Sequence, residues 1–229
     1  ARPVVAELCD ALEEARSASR ARRGTLRITL SFDAYVQTVA RNLAAFQRAY
    51  PEIELELSFN EAFVDIVQDG FHAGIRLGDL IGPDMIAVRV SPPQRQVIFG
   101  SPVYFDMHGR PQRPADLLNH NCIQYRYIAS QQFAEWQFDD KGETTTVDVR
   151  GNLVVNNTRA LIASAVLGLG LGWLFHSNVE PELQSGALEC VLENYSLKRP
   201  AYYLYFPKAN AQLEVLRVFI DFMKQQASN

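Results

Sequence analysis

An α/β fold is what the sequence predicts, on three observations. Between Leu26 and Leu77 the patterns of strand and helix alternate, with connections too long for hairpins. Pro51, Gly70 and Gly78 punctuate that alternation at the places where elements should end. Near the other end, residues Gln212 to Gln225 carry Leu213, Leu216, Ile220 and Met223 on one helical face. Val215, Phe219 and Phe222 widen that face, so this helix should dock onto a core. With 229 residues, one large domain or two of roughly 100 each are possible.

Pro3 to about Ala21 reads as a helix with a narrow seam of Val5, Leu8, Leu12 and Ala15, suited to one partner helix. Gly24 marks a boundary. Leu26 to Leu30 is the first strand, and Ser31-Phe32-Asp33 the turn into a helix. Val36, Val39, Ala40, Leu43, Phe46 and Tyr50 form its stripe, and Pro51 stops it. Ile53, Leu55, Leu57 and Phe59 alternate with polar residues as a half-exposed strand. Phe63, Ile66 and Val67 suggest a short helix ended by Asp69-Gly70, and Ala73 to Leu77 a buried strand closed by Gly78. Such strands run parallel, with right-handed crossovers, and a ligand sits beyond their carboxyl ends. Gly78-Asp79 is therefore the first place to look for a bound molecule.

Ile86 to Val90 and Gln96 to Gly100 read as two strands broken by Pro92-Pro93. A short turn follows Ser101-Pro102, and Pro114 opens a helical segment with Leu117 and Leu118. IQYRYI, WQF and TTTVDVRGNLVV are strand-like, with KGE as a turn. Asn156-Asn157-Thr158 caps a helix from Arg159 to Leu167. Glycines 168, 170 and 172 lead into a strand ending near Phe175. Val179 to Leu183 is a short helix, SGALECVL a turn and strand, and Ala201 to Phe206 the last strand.

Composition excludes several classes. The chain is 48% hydrophobic and 21% charged, as an ordinary globular protein is. A net charge of −4 argues against wrapping nucleic acid unaided. No run reaches membrane-span length, so no membrane association is expected. The three cysteines, Cys9, Cys122 and Cys190, are dispersed, which fits free thiols in a reducing cytosol and no metal site. The first residues do not form a signal peptide, and the chain begins in mid-helix, as though an N-terminal part preceded it.

Glycines in GLGLG follow a helix and precede a strand, the reverse of a dinucleotide loop, so no nucleotide cofactor is expected. They stop the helix and let it pack closely. Four histidines stand apart without metal spacing. His120 should make a structural hydrogen bond, while His176 stands at a strand's carboxyl end. No nucleophile with a base, and no carboxylate pair, marks a catalytic residue, so an enzyme is not expected. Two helix starts, Ser31 to Asp33 and Asn156 to Thr158, could hold an anion on their unpaired N–H groups.

With these residues laid out, the chain resembles the regulatory half of LysR-type transcriptional regulators. RRGTLRITLS is similar to the family's first effector-domain strand, and AFQRAYPEIELEL to its F-x-x-x-YP-x-V-x-L-x-L signature. VDIVQDGFHAGIRLGDL, FGSPVYFDMHGRPQRPADLLNHNCI and VLRVFIDFMKQ resemble three further family motifs in order. His72 stands where the family usually has Asp, and His176 where proline is common.

The resemblance implies a type 2 periplasmic-binding-protein-like fold, two α/β lobes that are each a mostly parallel sheet flanked by helices, preceded by a linker helix. Residues 1–23 would be the end of that helix, 24–99 with 204–229 lobe I, and 100–203 lobe II. Crossings would fall near Val97–Gly100 and Tyr203–Phe206. A small anionic effector between the lobes would touch Ser31, Phe32, Asn60, Gly78, Ser101, Asn156, Thr158 and His176. Ser31, Asn60 and Asn156 would hydrogen-bond it, Gly78 and Ser101 would let it approach, and Phe32 would pack on it. The family further implies a cytoplasmic protein, homodimers through regulatory domains, homotetramers for the full protein, and promoter DNA bound by a winged helix-turn-helix domain absent from this chain. The other reading is a secreted solute-binding protein of the same fold.

Overall fold

A computed structural model describes residues 23–60, 65–128 and 130–227. The helix expected over residues 3–21 and Cys9 lie outside the described residues. In chain order the elements begin with β1 (Gly24–Leu30), a helical turn Phe32–Ala34, a π-helical segment Tyr35–Val39 and α1 (Ala40–Ala49). Next come β2 (Ile53–Phe59), β3 (Ala73–Leu77), β4 (Met85–Gly100) and α2 (Pro102–His108). β5 (Gln124–Tyr125), β6 (Trp136–Asp140), β7 (Glu143–Val147), β8 (Val154–Val155) and α3 (Thr158–Val166) follow. The chain continues through β9 (Gly172–Phe175), α4 (His176–Gln184), β10 (Glu189–Val191), β11 (Lys198–Pro207) and α5 (Glu214–Ala227). It divides into two compact units, one formed by the chain up to Ser91 and from Tyr202 onward, the other by Pro92–Ala201. Both β4 and β11 therefore run from one unit into the other.

In the first unit β1 is central and parallel to both neighbours, Leu30 facing Phe59 of β2 and Ile75 of β3. β11 closes the sheet antiparallel to β3. Leu26, Ile28 and Leu30 are fully buried. The apolar face of α5 docks as its pattern requires: Phe219 and Phe222 meet Phe46 of α1 at ring distances of 5.1 and 5.2 Å. One expected element differs. Over residues 65–70 the chain makes turns rather than a helix. Asp65 Oδ1 accepts from the amides of Val67 (3.0 Å) and Gln68 (3.1 Å), the pattern of a helix cap, so a helix cannot run through residue 65, and only a turn closed by the Asp69 amide on the Asp65 carbonyl (2.9 Å) follows it. Phe63, where that helix was expected to begin, lies outside the described residues.

Pro92-Pro93 does not break the chain into two strands, because β4 is continuous from Met85 to Gly100. Proline's fixed φ is compatible with extended backbone; its cost is a missing N–H. Side chains bond the backbone on either side of the pair: Ser91 Oγ accepts from the Tyr202 amide at 2.8 Å, and Gln94 Nε2 donates to the Pro92 carbonyl at 2.8 Å.

In the second unit β4 pairs antiparallel with both β9 and β10, so this sheet is not mostly parallel as expected. The parallel component is the short β5–β8 pair, joined to β9 by a parallel bridge between Cys122 and Leu171. IQYRYI thus contributes two strand residues, and TTTVDVRGNLVV parts into β7 and β8. The expected short turn after Pro102 is the helix α2. Ser101 Oγ accepts from the Tyr104 amide at 3.3 Å, Pro102 takes the first helical position, and Gly109 ends it at φ +75°. Around them pack Tyr104, Phe105, Trp136, Phe138 and Trp173, with the two indoles stacked at 6.2 Å. Gly168 ends α3 at φ +76° and β9 begins at Gly172, so the glycines do follow a helix and precede a strand.

His120 makes the structural bond expected of it. The Asn121 amide donates to Tyr104 Oη at 3.0 Å, leaving the Tyr104 hydroxyl proton for His120 Nδ1 at 3.2 Å. Burial, then the charge of His108, hold the His120 imidazole below its ordinary value of 6.5, against a smaller opposing pull from Asp116. A neutral imidazole is therefore favoured in the folded state. Its stabilisation should be complete above about pH 6.5 and fade as pH falls through the lower folded value. Denaturant titrations from pH 8 to pH 5 should show that loss, and His120→Gln should flatten it. An identical slope in the variant would refute this role.

Candidate functional site

Because β1, β2 and β3 are parallel and in register, the residues that follow them gather at one edge of the first unit. Ser31 follows β1, Asn60 follows β2 and Gly78 follows β3. Ser31 Oγ accepts from the Ala34 amide at 3.1 Å and so caps the helical run that starts at Phe32. The Asn60 amide donates to the Leu30 carbonyl at 3.0 Å, and the buried Arg76 guanidinium donates to the Asn60 carbonyl at 2.6 Å. Gly78 opens a 3-10 turn directly after β3. Phe32 stands in an aromatic group with Tyr35 and Phe59, the latter two meeting edge-on at 5.3 Å.

Tyr35 and Phe59 were not read from the sequence as site residues. Phe59 carries the apolar phase of β2, yet its side chain is 52% exposed beside this polar edge. A large exposed aromatic at the carboxyl end of a parallel strand is the signal that could have found it.

In the second unit the parallel strands β5, β8 and β9 likewise end at one edge. Arg126 follows β5, Asn156 follows β8 and His176 follows β9, where it opens α4. Tyr125 Oη donates to the Asn156 carbonyl at 3.1 Å. The capping side chain of α3 is Asn157, whose Oδ1 accepts from the Ala160 amide at 3.1 Å; Thr158 is the first helical residue. An open pocket of about 390 Å³ lies here, lined by Arg126, Tyr127, Ile128, Gln131, Val154, Val155 and Asn156. Of the expected residues only Asn156 lines it.

Ser101 stands apart from this edge. β4 runs antiparallel to β9, so Ser101 lies toward the amino end of β9, and a Cβ on Gly168 would stand 3.4 Å from its hydroxyl. It is 2% exposed and its Oγ is engaged in capping α2. Its role here is structural.

Neither of the two described thiols is poised for chemistry: burial pushes Cys122 up to about 12 and Cys190 to about 11. No group of His, Cys, Asp and Glu among the described residues could hold a metal ion. No described helix is long and apolar enough to cross a membrane.

Two α/β units threaded by the same two strands, with helix caps and polar groups at the carboxyl ends of parallel strands, define a ligand-binding domain of the periplasmic-binding-protein kind. The chain belongs to the LysR substrate binding domain family, whose profile matches residues 19–228. It is 36% identical over 223 residues to the uncharacterized HTH-type transcriptional regulator YcaN of Escherichia coli (strain K12), covering 97% of this chain and 72% of that protein. It is 30% identical to the HTH-type transcriptional regulator PgrR of the same strain, covering 90% of this chain and 69% of the relative. The structure of CrgA, a LysR-type transcriptional regulator from Neisseria meningitidis, superposes with a TM-score of 0.81 over 100% of this chain and 76% of that one, at 21% identity. This is the effector-binding domain of a LysR-type transcriptional regulator.

Proposed function

We propose that the domain senses a small organic anion through its two polar edges and passes that state to a DNA-binding part outside this chain. Ser31, Phe32, Asn60 and Gly78 serve in the first unit; Asn156, Thr158 and His176 serve in the second. The observation that carries this reading is that both sets follow parallel strands at their carboxyl ends, where α/β sheets place ligands. Relatives that are transcriptional regulators favour it over a secreted solute-binding protein. The domain acts by population shift, with no chemical turnover: an effector favours one conformation by its differential affinity for it. The protein works in the cytoplasm, as a homodimer through this domain and as a homotetramer in full length, on promoter DNA.

A metabolite screen by thermal shift on this chain tests the proposal. An effector at about 100 times its Kd should add about 2.7 kcal/mol of stability. Asn60→Ala and Asn156→Ala should each reduce that shift. If no compound stabilises the protein, or if hits are chemically converted, the reading fails.

A further inference from the structure

We infer that Arg126 is the anion anchor of the second unit, and that the pocket beside it takes a small carboxylate carrying an apolar, ring-sized body. The inference rests on the effector-binding reading above and narrows the class of ligand. Five other arginines, Arg23, Arg27, Arg95, Arg110 and Arg113, each pair with a carboxylate. Arg126 pairs with none among the described residues. Its guanidinium lies instead over the Phe133 ring, 4.5 Å from the centroid. That contact locates the cation on one face without neutralising it, and its N–H edge keeps donors in the geometry a carboxylate accepts. In a chain with a net charge of −4, an unneutralised cation beside a pocket is the feature that asks for an anion.

The surroundings set the rest of the ligand. Tyr127, Ile128 and Val154 line the same pocket and are 46%, 58% and 46% exposed, so a wall of apolar surface stands in water. One cation beside such a wall suits a monoanion with an apolar body better than a phosphate ester. The wall is held in place beforehand. The Arg126 amide donates to the Val155 carbonyl at 2.8 Å, and the Tyr127 amide to Gln132 at 2.9 Å. Gln131 sits at φ +59°, a conformation rare for a side-chain-bearing residue, and its Nε2 donates to the Ile128 carbonyl at 2.7 Å. Groups already tied by such bonds lose less freedom on binding.

Titration of benzoate, benzamide and acetate into the 229-residue chain, followed by amide chemical shifts, tests this. Benzoate should move the amides of Tyr127, Ile128, Gln131 and Val155, with benzamide and acetate each binding at least about tenfold more weakly. Arg126→Gln should lose about tenfold in benzoate affinity, and Arg126→Lys, which keeps the charge but not the planar fork, should lose less than Arg126→Gln. Melting curves of both variants should match the parent; if Arg126→Gln melts early, the benzoate-to-benzamide ratio on the parent decides. Equal binding of benzoate and benzamide, shifts confined to other residues, or no binding at all would overturn the inference. An effector from the metabolite screen that binds Arg126→Gln undiminished would overturn it too, while leaving the effector reading intact. Conversely, Arg126-dependent benzoate binding with no metabolite hit would keep the anchor and sink the effector reading.

Discussion

Phe219→Ala should destabilise the protein by about 3–5 kcal/mol. Phe219 is fully buried on α5, and its ring meets Phe46 of α1 edge-on at 5.1 Å. Phe46 is itself 1% exposed and also meets Phe222 at 5.2 Å. Removing this buried ring loses the transfer energy of an aromatic side chain and leaves a cavity between α5 and α1. The topology makes the loss matter beyond one contact. The first unit is assembled from two distant stretches of chain, and α5 and β11 are what the second stretch contributes. A weakened α5 therefore loosens the side of the sheet that β11 closes against β3. For a chain of this size the melting temperature should fall on the order of 10 °C, read by calorimetry. A fall of only a degree or two would show that the helix is not docked as described.

The parts of the fold legible in the sequence are those whose pattern repeats locally. β1, β2, β3 and the helix between the first two have enough residues to display a period, and their boundaries are marked by Ser31, Pro51 and Gly78. The final helix was legible for the same reason. Where the sequence misled, a local rule met a local exception. Pro92-Pro93 reads as a break, but proline's fixed φ suits extended backbone, so the strand runs through both residues. Phe63 to Asp69 reads as a helix, but Asp65 caps the amides of Val67 and Gln68, and a capping residue cannot lie in a helix interior.

The candidate site divides along the same line. Ser31, Asn60 and Gly78 could be placed because each follows a recognisable strand. The pocket at Arg126 could not, because it depends on β5 pairing with β8, two residues against two residues far apart in the chain. Two-residue strands have no period to detect, and the pairing that brings Arg126 to Asn156 is tertiary. Ser101 illustrates the opposite error. Its place in the sequence, at the end of a strand, is like that of Ser31, but β4 runs antiparallel to β9 and carries it to the other edge.

Gly172→Ala should cost about 3 kcal/mol, more than the same change at Gly168. A Cβ at Gly172 would stand 2.5 Å from the Phe99 ring and 2.6 Å from the Leu161 side chain. Phe99 is fully buried and Leu161 is 1% exposed, so neither can yield without disturbing β4 or α3. At Gly168 the space is ordinary, the nearest atom being the Ser101 hydroxyl at 3.4 Å, and the penalty is the left-handed backbone at φ +76°. That strain is worth about 1–2 kcal/mol for alanine. Denaturant midpoints for the two variants should therefore fall in that order, with unchanged m-values. The order follows from what the glycines do: one stops α3, and the other lets β9 lie against the Phe99 and Leu161 side chains. A phosphate loop would place a strict glycine where a helix begins; here Gly172 begins a strand. Equal costs at the two positions, or a neutral Gly172→Ala, would show that the close approach of β9 is not what requires glycine there.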